Sequence, residues 1–189
     1  MQTSFIHDLI EVDINQVEKL IADYRKENQA WPDYLKIVDT AYKKALHIKP
    51  GNPAPVFTGT SPDGKKVSLS DFKGKLVYVD VWASWCGPCI GEIPAAKKLM
   101  EELKDKEVVF LNVSVDQSEA DWRKAMEKHG VHGTNMLANG AFQSDIVQAY
   151  NINSIPRYLL IGRDGSIISS NAGRPSSTAK AEIEAALKK

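Results

Sequence analysis

The sequence predicts an α/β fold with a central mixed β-sheet flanked by helices, preceded by an α-helical extension. Beyond Pro53, short apolar runs alternate with stretches of helical periodicity, which is typical of strands connected by helices. Two of the runs, 76–82 and 108–115, are almost entirely apolar, as expected for parallel strands covered on both faces. A hairpin and a helix follow them, so the sheet should be mixed.

Residues 1–50 differ from the rest and predict two helices. Asp13 and Gln16 resemble a capping box at the start of the first helix. Its apolar positions recur at helical spacing: Ile14, Val17, Leu20, Ile21 and Tyr24. The second helix should begin at Pro32, with an apolar face formed by Leu35, Val38, Tyr42, Ala45 and Leu46. The prolines and glycine at 50–53 predict a boundary between an extension, 1–50, and a domain, 51–189.

Within the domain, turn residues 62–65 predict a hairpin of two short strands. The elements expected after it are a strand at 76–82, a helix at 88–103, a strand at 108–115, a helix opening at 118–121, a short strand at 136–138, a helix at 142–150, a hairpin of 158–161 with 167–170, and a helix at 177–187.

Charge and hydropathy exclude several classes of partner. The 189-residue chain carries 24 basic and 24 acidic side chains, so no nucleic-acid partner is expected. No apolar run is long enough to span a bilayer, and direct membrane insertion is not expected. No leader of basic residues followed by an apolar run is visible after Met1.

The only two cysteines, Cys86 and Cys89, form a C-x-x-C motif between a predicted strand and a predicted helix. That setting favours redox chemistry over zinc binding. The zinc alternative would need two more ligands, for which His129 and His132 are the candidates. We therefore expect no metal and no cofactor other than a redox-active disulfide between the two cysteines.

The position of the motif predicts different roles for the two thiols. Cys86 would lie at the helix N-terminus, where the pKa of its thiol should fall below that of a free cysteine. Gly87 leaves its sulfur open to a large partner, and Pro88 is tolerated in the first turn. We expect Cys86 to attack, and Cys89, one turn further and more buried, to resolve the mixed disulfide.

Two carboxylates are candidates for accepting the proton of Cys89. Asp80 interrupts an apolar central strand on the same face as Tyr78 and Trp82, where an unpaired charge is costly. Glu92 lies three residues beyond Cys89, on the next helical turn. For Glu92, a solvated position on the helix surface is an equal alternative. For Asp80, a role in proton transfer is favoured.

Ile155-Pro156 directly precedes a predicted strand. X–Pro bonds are the ones that adopt the cis form, but only about one in twenty does so in folded proteins. The residues alone therefore favour trans.

The segment from Val79 to Cys89 resembles the active-site strand and loop of thioredoxin almost residue for residue. Ile155-Pro156 resembles that family's cis-proline segment. The resemblance implies a thioredoxin-like fold and a cis bond at Pro156. It implies that Cys86 is the nucleophile, Cys89 the resolver and Asp80 the buried proton acceptor. It also places Trp85 beside the site and pairs the backbone before the proline with the substrate chain.

The wider pattern over 53–187 is similar to the TlpA/ResA-type branch of this superfamily, including a glutamate at the position of Glu92. The resemblance implies a bacterial cell-envelope or periplasmic thiol-disulfide oxidoreductase. Its partners would be protein disulfides and an upstream thiol reductant, which could be membrane-bound. Gly87-Pro88 and Asp80 are thioredoxin-like features and favour a reductase, with an oxidase or isomerase of the same fold as the alternative.

Overall fold

A computed structural model describes residues 21–26 and 32–188. The chain divides into two compact units, Met1–Lys49 and Pro50–Lys189. This division adjoins the boundary that the proline-rich segment predicts. No helix among the described residues is long and apolar enough to cross a membrane.

The first unit is helical wherever it is described. Residues 21–26 form part of one helix, and helix α1 spans Pro32–His47, beginning at the predicted proline. Their buried side chains meet in a small apolar cluster of Ile21, Tyr24, Val38, Ala41 and Ala45. The predicted capping box at Asp13 and the positions Ile14, Gln16, Val17 and Leu20 lie outside the described residues.

The second unit contains a seven-stranded mixed sheet in the order β2-β1-β5-β4-β3-β6-β7. The strands are β1 Thr58–Thr60, β2 Lys66–Ser68, β3 Leu76–Trp82, β4 Val108–Ser114, β5 Thr134–Ala138, β6 Arg157–Ile161 and β7 Ile167–Ser169. The helices are α2 Gly87–Glu102, α3 Glu119–His129, α4 Asp145–Ala149 and α5 Ala179–Leu187. The predicted α/β architecture is confirmed.

One predicted helix is interrupted. The apolar pattern of 142–150 predicts a continuous helix, but the structure has a 3-10 turn at Ala141–Gln143 followed by the short helix α4. Ser144 separates the two because its backbone is extended, with φ −67° and ψ 158°. The Ser144 hydroxyl also donates a hydrogen bond back to the Ala141 carbonyl, which closes the 3-10 turn.

Strand β3 is the centre of the sheet and carries the site at its carboxyl end. It pairs in parallel with β4 and antiparallel with β6, so Asp80 lies opposite both Asn112 and Tyr158. The face that bears Tyr78 and Tyr158, whose rings stack 5.5 Å apart, packs against α2 and α5. By strand alternation, Asp80 lies on this same face, beneath helix α2.

Candidate functional site

The two cysteines lie where β3 gives way to α2, and their sulfurs are joined as a disulfide with Cα atoms 5.3 Å apart. Cys86 is the N-cap of α2, and its Sγ accepts a hydrogen bond from the Cys89 backbone N–H at 3.2 Å. The sulfur therefore occupies the position at which a helix stabilises negative charge. The expected contrast in burial is small, since Cys86 is 5% exposed and Cys89 3%.

The surface beside the disulfide is open. Trp85 is 61% exposed, and Gly87 and Pro88 are exposed as well. A Cβ at Gly87 would meet nothing within 4 Å, so no neighbouring group covers this part of the loop. The ring of Trp85 lies beside that of Phe142, with the two ring centroids 6.1 Å apart. Sequence reasoning missed Phe142, because the contact joins segments that are far apart in the chain.

The peptide bond between Ile155 and Pro156 is cis. The resemblance to thioredoxin implied this isomer, whereas the residues alone favoured trans. Because Val81 pairs with Arg157 across β3 and β6, Pro156 lies in register beside the last residue of β3. Both Ile155 and Pro156 are half-buried at the end of the sheet that carries the cysteines.

Asp80 lies half-buried beneath the site, and one of its carboxyl oxygens has no hydrogen-bond partner in the described part of the chain. Its Oδ1 is fully buried, and no group among the described residues donates a hydrogen bond to it. Burial, together with the negative charge of Glu92, raises the pKa of the Asp80 carboxyl from 3.8 to about 7. The carboxyl is therefore able to take up and release a proton near neutral pH.

Glu92 is buried. The alternative prediction, that it is a solvated residue on the helix surface, is therefore wrong. It is only 7% exposed, on the turn of α2 that follows Cys89. Its two oxygens accept hydrogen bonds from Ser176, one from the backbone N–H at 3.0 Å and one from the hydroxyl at 2.8 Å. The Arg174 guanidinium lies 3.9 Å from Oε1. Sequence reasoning missed Ser176 because nothing local marks a loop residue 84 positions away as a partner.

A third buried carboxylate, Asp116, anchors the loop that leads to Cys86. It accepts hydrogen bonds from the Ser84 backbone N–H at 2.9 Å and from the hydroxyls of Ser84 and Ser114, both at 2.6 Å. Sequence reasoning did not single it out. The available signal was its position just beyond β4, because the carboxyl ends of neighbouring parallel strands meet at one edge of the sheet.

Replacing Asp116 with alanine is expected to lower the free energy of unfolding by about 2–4 kcal/mol, because it leaves the partly buried donors of Ser84 and Ser114 without an acceptor. Chemical denaturation measures this change. Asp71→Ala is a suitable control, since Asp71 is exposed and caps only the short 3-10 turn Leu69–Phe72. An equal loss in both variants would contradict the anchoring role.

The two histidines considered for zinc binding lie on the α3 side of the domain. His129 is the last residue of α3, and His132 is an exposed residue in the following loop. The backbone carbonyl of His132 accepts a hydrogen bond from the Asn112 side chain. In the part of the chain that is described, no group of three or more His, Cys, Asp or Glu side chains is arranged to hold a metal ion.

Comparison with known proteins gives a matching family and several bacterial relatives. The Redoxin family matches residues 49–187. The thiol-disulfide oxidoreductase ResA of Bacillus cereus is 29% identical over 148 residues, which cover 78% of this chain and 82% of that protein. The thioredoxin-like protein YneN of Bacillus subtilis is 33% identical over 139 residues, covering 72% of this chain and 79% of the relative.

Solved structures agree with this relationship. The thioredoxin domain of a thiol-disulfide oxidoreductase from Bacteroides vulgatus superposes with a TM-score of 0.67 at 33% identity. The match covers 72% of this chain and 96% of that structure. It confirms the thioredoxin-like fold. The residues that match the Redoxin family include β3, the disulfide and the cis-proline. On these grounds the chain belongs to the Redoxin family, is similar to ResA, and is a thiol-disulfide oxidoreductase.

Proposed function

We propose that this oxidoreductase reduces disulfide bonds in other proteins by dithiol–disulfide exchange at Cys86 and Cys89. The observation that carries the proposal is the position of the Cys86 sulfur, which caps α2 and accepts the Cys89 N–H. A thiolate formed there is stabilised by the helix, and the thiolate is the attacking species in exchange. The names of the relatives support thiol–disulfide chemistry.

The reaction begins from the dithiol form. The Cys86 thiolate attacks one sulfur of the substrate disulfide, a mixed disulfide forms, and the other substrate sulfur leaves as a thiolate. The Cys89 thiol then gives its proton to ionised Asp80 and attacks Cys86 Sγ. The second substrate sulfur leaves, so two electrons pass to the substrate and the protein ends as the Cys86–Cys89 disulfide.

The rim of the site suits a polypeptide substrate. Exposed Trp85 offers an apolar surface next to Cys86, and the exposed Gly87-Pro88 backbone leaves room for a large partner. Ile155, before the cis-proline, is the position proposed to pair with the substrate backbone. No cofactor beyond the disulfide takes part in this scheme.

Regeneration requires an outside donor. An upstream thiol reductant, which could be membrane-bound, would return the disulfide to the dithiol form. Resemblance to the TlpA/ResA branch supports a bacterial cell-envelope location for this exchange.

The reduction potential tests the direction of the reaction. Equilibration with glutathione redox buffers should give a value nearer to about −270 mV, as in thioredoxin, than to about −120 mV, as in DsbA. The physical reason is the thioredoxin-like Gly87-Pro88 pair between the cysteines, with Asp80 behind them. A value above roughly −180 mV would contradict the reducing direction and favour the oxidase or isomerase alternative.

A further inference from the structure

The loop between β7 and α5 contacts α2 and holds Glu92. Ser176 donates two hydrogen bonds to the carboxyl group, one to each oxygen, and Arg174 adds a positive charge 3.9 Å away. Glu92 is buried, whereas Ser176 and Arg174 lie at the surface. The two hydrogen bonds and the nearby cation hold the Glu92 carboxyl group in place.

Asp80, unlike Glu92, has a carboxyl oxygen that accepts no hydrogen bond from any residue that the structure describes. Its Oδ1 is enclosed without a donor among the described residues, and its strand neighbours in register are Asn112 and Tyr158. The charge of Glu92 acts on Asp80 as a like charge. A like charge nearby favours the neutral form of a carboxyl group, so the place in which Glu92 is held bears on the protonation of Asp80.

We propose that Ser176 is a positioning residue, which fixes the Glu92 carboxyl in its buried place on α2, from where it acts on Asp80. The inference rests on the proton-acceptor role of Asp80 in the proposed function. It adds that a loop residue 84 positions from Glu92 in the sequence influences the acceptor through Glu92. Glu92 then serves as the fixed charge that tunes Asp80, and Asp80 is the group that exchanges the proton.

Other titratable groups around Asp80 do not compete for this proton. Tyr78 lies on the same strand and Tyr158 on β6, and burial raises the pKa of both hydroxyls far above the neutral range, so both stay uncharged. Glu182 of α5 acts on Tyr78, and its own oxygens accept hydrogen bonds from the Gly173 N–H. In the oxidised protein the cysteines carry no titrating thiol.

The test is a carbon-13 NMR titration of the Asp80 carboxyl in the oxidised protein. In Glu92→Gln the midpoint should fall by on the order of one pH unit, because a neighbouring like charge is removed. Ser176→Ala removes the hydroxyl bond to Glu92 and keeps the backbone N–H bond. The Asp80 midpoint should fall in the same direction by a smaller amount, because the less firmly held Glu92 carboxyl moves towards water and away from Asp80.

Two further variants distinguish the loss of the Ser176 hydroxyl bond from a general disturbance of the loop. Ser176→Thr keeps the hydroxyl and should restore the wild-type midpoint. Ser177→Ala is the matched control, because the Ser177 hydroxyl donates to the Arg174 carbonyl in the same loop rather than to Glu92. The midpoint should not move in this control. An unchanged Asp80 midpoint in Ser176→Ala or Glu92→Gln, or an equal shift in Ser177→Ala, would overturn the proposal.

A kinetic measurement distinguishes this proposal from the function on which it rests. The pH dependence of mixed-disulfide resolution in Ser176→Ala should shift by the same amount as the Asp80 midpoint. If the midpoint moves but the kinetic profile does not, the positioning role of Ser176 stands and the acceptor role of Asp80 is wrong.

Discussion

Replacing Cys86 with alanine is expected to reduce the turnover of insulin disulfides to the level of the uncatalysed exchange. The variant retains the Cys89 thiol, but that residue lies inside the first turn of α2 and does not cap the helix. It therefore lacks the stabilisation that the helix N-terminus gives to a Cys86 thiolate. Insulin precipitation in the presence of dithiothreitol measures the loss.

The companion variant, Cys89→Ala, should behave differently. Its Cys86 can still attack, but no internal thiol remains to resolve the intermediate, so a mixed disulfide with the substrate should accumulate. Non-reducing electrophoresis detects the adduct, and mass spectrometry locates it. Accumulation on Cys89 in the Cys86→Ala variant, with none on Cys86 in Cys89→Ala, would reverse the assigned roles.

Replacing Asp80 with asparagine is expected to stabilise the folded protein at alkaline pH. The unfolded carboxyl titrates near 3.8 and the folded one near 7. Well below pH 3.8 both states are protonated, and the carboxyl then causes no difference in stability. As the pH rises to 7 the unfolded state releases a proton that the folded state still holds, so the free energy of unfolding falls. The asparagine variant lacks this loss. Its free energy of unfolding at pH 8 should therefore exceed that of the wild-type protein by on the order of 4 kcal/mol.

Denaturant unfolding of both proteins at pH 4 and pH 8 checks this prediction. The gain should be small at pH 4, where asparagine replaces a neutral carboxylic acid of nearly the same shape. Asp116→Asn serves as a control, because this carboxylate has donors in Ser84 and Ser114 and its replacement should not stabilise the fold. A gain for Asp80→Asn that is equal at the two pH values would contradict a raised carboxyl pKa.

The sequence predicts the features of the site that depend on residues close together in the chain. An apolar strand followed by C-x-x-C is sufficient to place the disulfide at a helix N-terminus, and a charge inside that strand identifies Asp80. The mixed sheet follows from the same alternation of strands and helices. These features depend on neighbours in the chain, whose spacing is visible in the sequence.

The features that the sequence does not settle depend on distant contacts. The sequence alone is compatible with a solvated Glu92, because its contact with the loop that contains Ser176 joins distant parts of the chain. The role of Asp116 depends on the pairing of β3 with β4, which brings it to Ser84, and this contact is not visible in the sequence. Helical periodicity over 142–150 does not show that the backbone of Ser144 is extended.

The order of the strands has a consequence for the way in which this domain meets other polypeptide chains. The outermost strands, β2 and β7, each contain only three residues, and the long strands lie inside the sheet. Short outer strands offer few free N–H and C=O groups on which another chain could build an intermolecular sheet. A protein substrate with exposed backbone would therefore find few groups to pair with along the edges of this sheet.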